Sequence, residues 1–224
     1  MRAAAEASLR RLGVDVIDLL TLHRVDREVP LEDTIGAMGE LVTAGLVRLI
    51  GLSEVRPTTL LRAAEEHPIA AVQSEHSLWS RDVESGLIEA ARQVGTTLVS
   101  YAPLGRGFLS GDLHVPSLAN DDYRRGLPRF EPGNIEHNVN LLTALRRVAR
   151  HTGLTPAQVA LAWVLKKNSD GIALVGTTSR SHLAENLSVA NIELGEEQML
   201  WLDKAFPPGA ARGDRYASRA TIDG

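Results

Sequence analysis

The chain has 224 residues, of which 44% are hydrophobic and 23% charged, and its formal net charge is −4, all ordinary values for one soluble globular domain. The absence of cysteine excludes a disulfide framework, a thiol nucleophile and a thiolate metal site, and the weak negative charge gives no reason to expect a nucleic acid or an anionic membrane as partner. No apolar run reaches the ~18 residues of a membrane span and the first residues lack an apolar leader segment, so we predict a cytoplasmic protein.

Apolar runs alternate with helix-like stretches along the whole chain. A first helix is predicted over 3–12, ended by Gly13. The predicted strands are 16–22, 47–52, 69–73, 97–101 and 172–175. The remaining predicted helices are 33–43, 58–66, 83–94, 138–151, 155–167, 181–190 and 195–205. Residues 103–137 are predicted to form a long excursion rich in Gly, Pro and Asp, and residues 207–224 a mobile tail.

The strands are near-continuous apolar runs, which is typical of parallel strands covered on both faces. Their alternation with helices predicts an α/β fold with a parallel sheet. The helix at 155–167 has the strongest start signal, because Thr155 is a capping residue, Pro156 suits the first helical position and Gln158 completes a capping box.

Polar residues stand where these strands end: His23, Ser53, Gln73, Tyr101, Gly176 and Thr177. The carboxyl ends of successive parallel strands are where barrels of this class build their sites. Each residue also has a plain structural interpretation. His23, Ser53 and Gln73 are suited to capping a strand end, and Tyr101 to packing in the core with its hydroxyl at the rim.

Two glycine-bearing segments suggest anion binding. Glycines in 103–107 permit close approach of a phosphate to the backbone, and Arg106 offers charge. Residues 176–186 combine a strand end, hydroxyl groups and a helix N-terminus, where free amides and the helix dipole favour phosphate. Ordinary helix capping by Ser179 or Ser181 explains the second segment equally simply.

Five motifs in order resemble the carboxyl-terminal two-thirds of the aldo-keto reductases, which are NAD(P)H-dependent enzymes on a (β/α)8 TIM barrel. They are SLRRLGVDVIDLLTLHR (8–24), GLVRLIGLSE (45–54), AVQSEHSLWSR (71–81), VSYAPLGRGFLSG (99–111) and ALVGTTSRSHLAEN (173–186). The resemblance implies an incomplete TIM-type barrel with about five of eight parallel strands. Residues 1–206 would then form a partial barrel domain that contains the cofactor-binding half.

The resemblance also assigns roles to particular residues. His23 would polarise the substrate carbonyl, Ser53 and Gln73 with neighbouring Glu54 would fix the nicotinamide amide, and Tyr101 would stack on the nicotinamide ring. The pyrophosphate would lie against Pro103, Leu104, Gly105, Arg106 and Gly107. The adenosine and its 2′-phosphate would lie against Gly176, Thr177, Thr178, Ser179, Arg180, His182, Glu185 and Asn186.

Trp79 would line the substrate side of the pocket, although simple packing explains it as well, and no metal site is expected. Many relatives place an arginine on the 2′-phosphate where this chain has His182, with Arg180 two residues away, so NADP is favoured and NAD possible. The expected substrate is an aldehyde or a ketone.

The family's catalytic aspartate, tyrosine and lysine have no matching positions here, which leaves His23 of the four groups. We therefore expect the chain to be amino-terminally truncated and poorly active. The alternative is a non-catalytic module that binds NADP(H) or docks on a partner. A third hypothesis is a structural role through self-association, because exposed strand edges and an apolar sheet face favour pairing.

Overall fold

A computed structural model describes residues 1–112 and 118–217. Its strands are β1 (Ile17–Leu22), β2 (Val47–Ser53), β3 (Ile69–Glu75), β4 (Thr97–Tyr101) and β5 (Ile172–Leu174). They form one sheet in chain order. The β1–β2 pair is parallel with Ile17 opposite Val47, and β2–β3 is parallel with Ile50 opposite Ile69. The prediction of a parallel α/β sheet is confirmed.

Helices separate the strands as the sequence predicts. They are α1 (Arg2–Leu12), α2 (Leu31–Thr43), α3 (Pro57–Glu66), α4 (Leu87–Gln93), α5 (Pro132–Thr152), α6 (Pro156–Lys167), α7 (Arg180–Ser188) and α8 (Glu196–Ala205). Single 3₁₀ turns occur at Asp82–Glu84, Phe108–Ser110, Tyr123–Gly126, Pro128–Phe130 and Val189–Asn191. The capping box of α6 is present, since Thr155 accepts from the Gln158 backbone N–H and the Gln158 side chain accepts from the Thr155 N–H.

Several predicted boundaries are wrong, and three of the differences have a clear physical feature behind them. The helix predicted over 83–94 is interrupted at Gly86, whose φ of 115° separates a 3₁₀ turn from α4. The helix predicted from 138 begins at Pro132, because a proline at the first helical position starts a helix well and leaves no backbone hydrogen bond unmade. Strand β3 continues two residues beyond Gln73, through Ser74 to a fully buried Glu75.

The chain divides into two compact units. The first unit contains residues 1–74 and 84–99, and its most buried side chains include Ile35, Met38, Ile50, Leu52 and Leu60. Two leucines of this unit stay exposed on their strands: Leu19 of β1 at 41% and Leu49 of β2 at 52%. Helices α2 and α3 supply the apolar side chains that cover the buried face.

The second unit contains 75–83 and 100–217, apart from residues 113–117, which the structure does not describe. Its core packs around Trp163 of α6, with Phe108, Leu145, Leu161 and Phe206 also fully buried. Trp163 Nε1 donates to Asp203 at 3.1 Å, which satisfies the one polar atom of this large side chain.

No helix in the described ranges is long and apolar enough to cross a membrane. The predicted tail lies partly outside the description, because residues 218–224 are not described. Residues 207–217 are described, and their mobility stays a prediction.

Candidate functional site

The second unit contains an open cleft of about 1160 Å³. Four segments line it: the loop after β4 (102–112), the stretch 119–124, the start of α6 (155–157), and the end of β5 with α7 (174–186). The loop after β4 and the turn after β5, which the sequence predicts as separate anion-binding segments, therefore face one cavity. This volume is slightly above the roughly 300–1,000 Å³ that is typical of small-molecule and cofactor pockets.

Nine of the predicted cofactor residues line the cleft: Pro103, Leu104, Arg106, Gly107, Gly176, Thr177, His182, Glu185 and Asn186. Tyr101, Gly105 and Thr178 are next to lining residues in the chain but do not line it themselves, and Ser179 and Arg180 lie between the lining residues Thr177 and His182 without lining it. The segments 119–124 and 155–157 also line the cleft and were not predicted as parts of a site. The capping box marks the second of these, but by itself it indicates only the beginning of a helix.

The loop after β4 has left-handed backbone at Ala102 (φ 50°) and at three consecutive residues, Gly105 (55°), Arg106 (58°) and Gly107 (90°). The amides of both glycines donate within the loop, Gly105 to Ala102 at 2.8 Å and Gly107 to Leu104 at 3.0 Å. These bonds fix a tight turn at the edge of the cleft. Ala102 and Arg106 adopt a conformation that costs non-glycine residues free energy, so the surrounding contacts must hold them there.

Arg106 does not offer a free charge to the cleft. Its guanidinium donates to both carboxylate oxygens of Glu75, at 2.8 and 3.2 Å, and both side chains are buried. Burial alone would lower the pKa of Arg106, but attraction to Glu75 outweighs it and raises the pKa, so the guanidinium stays charged. The charge predicted to assist a phosphate is therefore compensated by a carboxylate.

A second arginine borders the same cleft. Arg124 donates through Nη2 and Nε to Asp122, at 2.7 and 2.9 Å, and through Nη1 to the Arg106 carbonyl oxygen at 3.0 Å. It thereby ties the stretch 119–124 to the loop after β4.

This ion pair predicts a specific acid titration. Hydrogen bonds from the Arg124 side chain and backbone lower the pKa of Asp122 to about 2. Because the folded-state pKa is depressed, the pair's contribution to stability is complete above the ordinary aspartate value and is lost as the pH falls towards 2. We expect carboxyl-carbon NMR to give Asp122 a midpoint of about 2, and a higher midpoint in Arg124→Gln, which loses the side-chain hydrogen bonds and keeps the one from the backbone N–H. An ordinary midpoint in the unaltered chain would contradict this.

The turn after β5 is organised by its hydroxyl groups. Ser179 caps α7, accepting from the His182 backbone N–H at 3.3 Å, and its own N–H donates to Thr177 Oγ1 at 3.1 Å. The capping interpretation of this segment is thus confirmed for Ser179. Arg180 and His182 are exposed beside the helix N-terminus, which places cationic or protonatable groups near amides that favour anions.

Glu185 of α7 accepts a hydrogen bond from the Thr155 hydroxyl, the cap of α6. Gln158 Nε2 donates to Ser188 Oγ at 2.9 Å and so adds a second link between the same two helices. The carboxylate predicted to contact adenine therefore also holds α6 and α7 together at the edge of the cleft.

The first unit holds the other predicted strand-end residues. Ser53 ends β2, is 6% exposed, and accepts from Arg24 at 3.3 Å. Glu54 has a φ of 54°, is 5% exposed, and donates its N–H to the Gln73 carbonyl at 2.9 Å. His23 is exposed at the end of β1. The ends of β1 and β2 and residue Gln73 of β3 thus lie together in this unit, and Arg24, which was not predicted as a site residue, bonds to Ser53 among them.

Trp79 is 3% exposed and belongs to the core of the second unit. Its ring stacks on Phe108 with centroids 4.4 Å apart, and Arg129 lies over it at 5.1 Å. The predicted contact with a substrate stays a prediction. Among the residues described, no three His, Asp or Glu side chains are grouped to hold a metal ion.

Comparisons with known proteins agree on one family. A sequence profile described as "Aldo/keto reductase family" matches residues 1–206. "Probable aldo-keto reductase 1" of Glycine max is 40% identical over 216 residues, 96% of this chain and 62% of that protein. The chain therefore spans less than two-thirds of the length of this relative.

Solved structures give the same answer for the fold. A glycerol dehydrogenase from Gluconobacter oxydans superposes with a TM-score of 0.83 at 27% identity, over 91% of this chain and 62% of that one. The thermostable aldo-keto reductase Tm1743 gives 0.69 at 32% identity, over 90% and 64%. These neighbours are TIM barrels, which confirms the predicted barrel type.

Proposed function

This chain belongs to the aldo/keto reductase family, and we propose that it binds a nicotinamide dinucleotide, NADP(H) in preference to NAD(H), for reduction of an aldehyde or a ketone. The observation that carries the proposal is the cleft in the second unit, where the loop after β4 and the turn after β5 face one cavity. When bound, the dinucleotide supplies the hydride. The residues of this chain bind and orient it.

The chemistry of the cleft suits the two ends of such a ligand. The turn at 176–186 offers hydroxyl groups and the N-terminus of α7 to the adenosine phosphate, with Arg180 and His182 exposed beside it. The loop at 103–107 offers a tightly turned backbone to the pyrophosphate. The exposed Arg180 and His182 are our reason for preferring NADP(H), because a 2′-phosphate adds negative charge at that helix end.

We further propose that Tyr101 stacks on the nicotinamide, that Ser53, Glu54 and Gln73 contact its carboxamide, and that His23 donates a hydrogen bond to the substrate carbonyl. These assignments rest on the family resemblance together with the position of each residue at a strand end or, for Gln73, two residues before one. A neutral imidazole can donate one hydrogen bond and so polarise a carbonyl oxygen.

A charge placed in the cleft tests the binding proposal. We expect Thr177→Asp to weaken NADPH binding by about tenfold or more, because a carboxylate beside the helix N-terminus repels the phosphates. Fluorescence titration with NADPH and with NADH measures both the effect and the preference. Thr58→Asp, which adds the same charge at an exposed position of α3, is the matched control. Equal NADPH affinity in both variants would contradict the proposed site.

Turnover tests whether the groups within this chain suffice for reduction. With an aromatic aldehyde and NADPH, we expect the 224-residue polypeptide to bind cofactor but to reduce substrate near the background rate, because no residue matches the family's tyrosine proton donor. Tight binding without turnover is also the result expected of a non-catalytic binding module derived from this fold, whereas absence of NADPH binding would contradict both. Ordinary family turnover would show that the groups within this chain suffice. Cytoplasmic location and self-association stay predictions.

A further inference from the structure

Arg106 contacts both Glu75 and Tyr216, two residues that the proposed function does not connect. One face of its guanidinium pairs with Glu75, as described above, and its Cζ also lies 5.2 Å from the ring centroid of Tyr216. A cation held over an aromatic face is attracted by the ring, more strongly where water is excluded. The Arg106 side chain is 6% exposed, so this contact is largely removed from water.

Glu75 fixes the guanidinium from the other side. It is fully buried, accepts from the Ser80 hydroxyl at 2.6 Å, and lies 3.6 Å from Arg129. A buried carboxylate with three such neighbours is held in one position, because any rotation leaves charge unpaired. The Arg106 guanidinium is therefore held in one position, where it contacts the ring of Tyr216.

Tyr216 in turn bonds to the residue assigned to the nicotinamide. Its hydroxyl lies 2.9 Å from the hydroxyl of Tyr101, although 115 residues separate them in sequence. The backbone leading to Tyr216 is tied down, since the Arg212 N–H donates to Asn138 at 2.8 Å and the Gly213 carbonyl accepts from Arg129 at 3.3 Å. The position of Tyr216 is thus set by its segment and by Arg106 together.

We propose that Tyr216 is a positioning residue for the nicotinamide contact: held by Arg106 and Glu75, it fixes the position of the Tyr101 hydroxyl and with it the direction in which the Tyr101 side chain extends. Rotation about the Cα–Cβ bond of a tyrosine moves its hydroxyl, so a hydrogen bond at the hydroxyl selects one rotamer of that bond and holds the ring in one place. This inference rests on the proposed function, because it concerns how Tyr101 is presented to the nicotinamide.

The test uses two ligands on the whole chain. Tyr216→Phe keeps the ring below Arg106 and removes the hydroxyl. We expect it to weaken NADPH binding about three- to tenfold, the range of one lost hydrogen bond. Binding of 2′,5′-ADP, which lacks the nicotinamide, should not change. Ala217→Ser, which alters the exposed next residue of the same segment by one hydroxyl, is the matched control and should bind both ligands as the unaltered chain does.

Tyr101→Phe breaks the same bond from the other side, so it should also weaken NADPH binding and leave 2′,5′-ADP binding unchanged. The double variant should lose no more NADPH affinity than either single variant. If Tyr216→Phe does not fold, Tyr101→Phe alone carries the test. Equal weakening of both ligands would show a merely structural role, and unchanged or tighter NADPH binding would overturn the inference. Failure of the unaltered chain to bind either ligand would instead overturn the proposed function.

Discussion

Glu75→Gln is expected to lower the free energy of unfolding by about 3–5 kcal/mol, the cost of removing one partner from a buried ion pair. The substitution keeps the size of the side chain and removes its charge. Arg106 and Arg129 are then left near each other with no carboxylate between them. Burial already lowers the pKa of Arg129, with attraction to Glu75 opposing that effect, so the loss of the carboxylate acts on two guanidiniums at once.

Urea unfolding followed by circular dichroism measures this loss. Glu131→Gln is the matched control, because Glu131 is exposed and its side chain makes no capping bond to α5. We expect the control to change stability by less than about 0.5 kcal/mol, as is usual for surface positions. A loss below about 1 kcal/mol in Glu75→Gln, against the 3–5 kcal/mol expected for a broken buried pair, would show that water or rearranged side chains replace the carboxylate.

Gly105→Ala is expected to cost about 2–5 kcal/mol, from two additive sources. Its φ of 55° is left-handed, which an alanine adopts at a cost of about 1–2 kcal/mol. A Cβ at this position would lie 2.6 Å from Trp79 Nε1 and 2.7 Å from Cε2, closer than packed atoms allow. Trp79 is held between Phe108 and Arg129, so its ring cannot move without disturbing the core, which adds about 1–3 kcal/mol.

Gly153→Ala isolates the backbone contribution. Gly153 has a φ of 71°, and a Cβ there would meet no atom within 4 Å. We expect this control to lose only about 1–2 kcal/mol in the same unfolding experiment. If both variants lose the same amount, the contact with Trp79 is not a steric limit. Because residue 105 shapes the loop after β4, the alanine variant should also bind NADPH more weakly than the control does.

Features set by neighbouring residues can be predicted well from the sequence. Thr155 and Gln158 form the capping box as expected, because both partners lie within one helical turn. The strands at 97–101 and 172–174 follow from continuous apolar runs. The first turn of α5 was missed because glycine, proline and acidic residues around Pro132 resemble a loop in composition, and only the helical bonds that follow distinguish the two.

Features set by distant partners were not predicted. The apolar run of β3 stops at Gln73, so nothing local indicates that the strand continues to a buried Glu75. That burial is tolerated only because Arg106, thirty-one residues later, neutralises the carboxylate. The bond between Tyr101 and Tyr216 likewise has no signal in spacing or periodicity. The two loops predicted as anion-binding segments both line the cleft, but the partner of Arg106 changes what its charge can do.

The hydrogen bond between Thr155 and Glu185 has a consequence for how this protein can change over evolution. One carboxylate both faces the cleft and holds the cap of α6, so selection at position 185 acts on ligand contact and on helix stability at once. The next residue, Asn186, faces the same cleft. Among relatives that bind different ligands, we therefore expect substitutions at Asn186 before substitutions at Glu185, because Glu185 is also needed to bond the cap of α6.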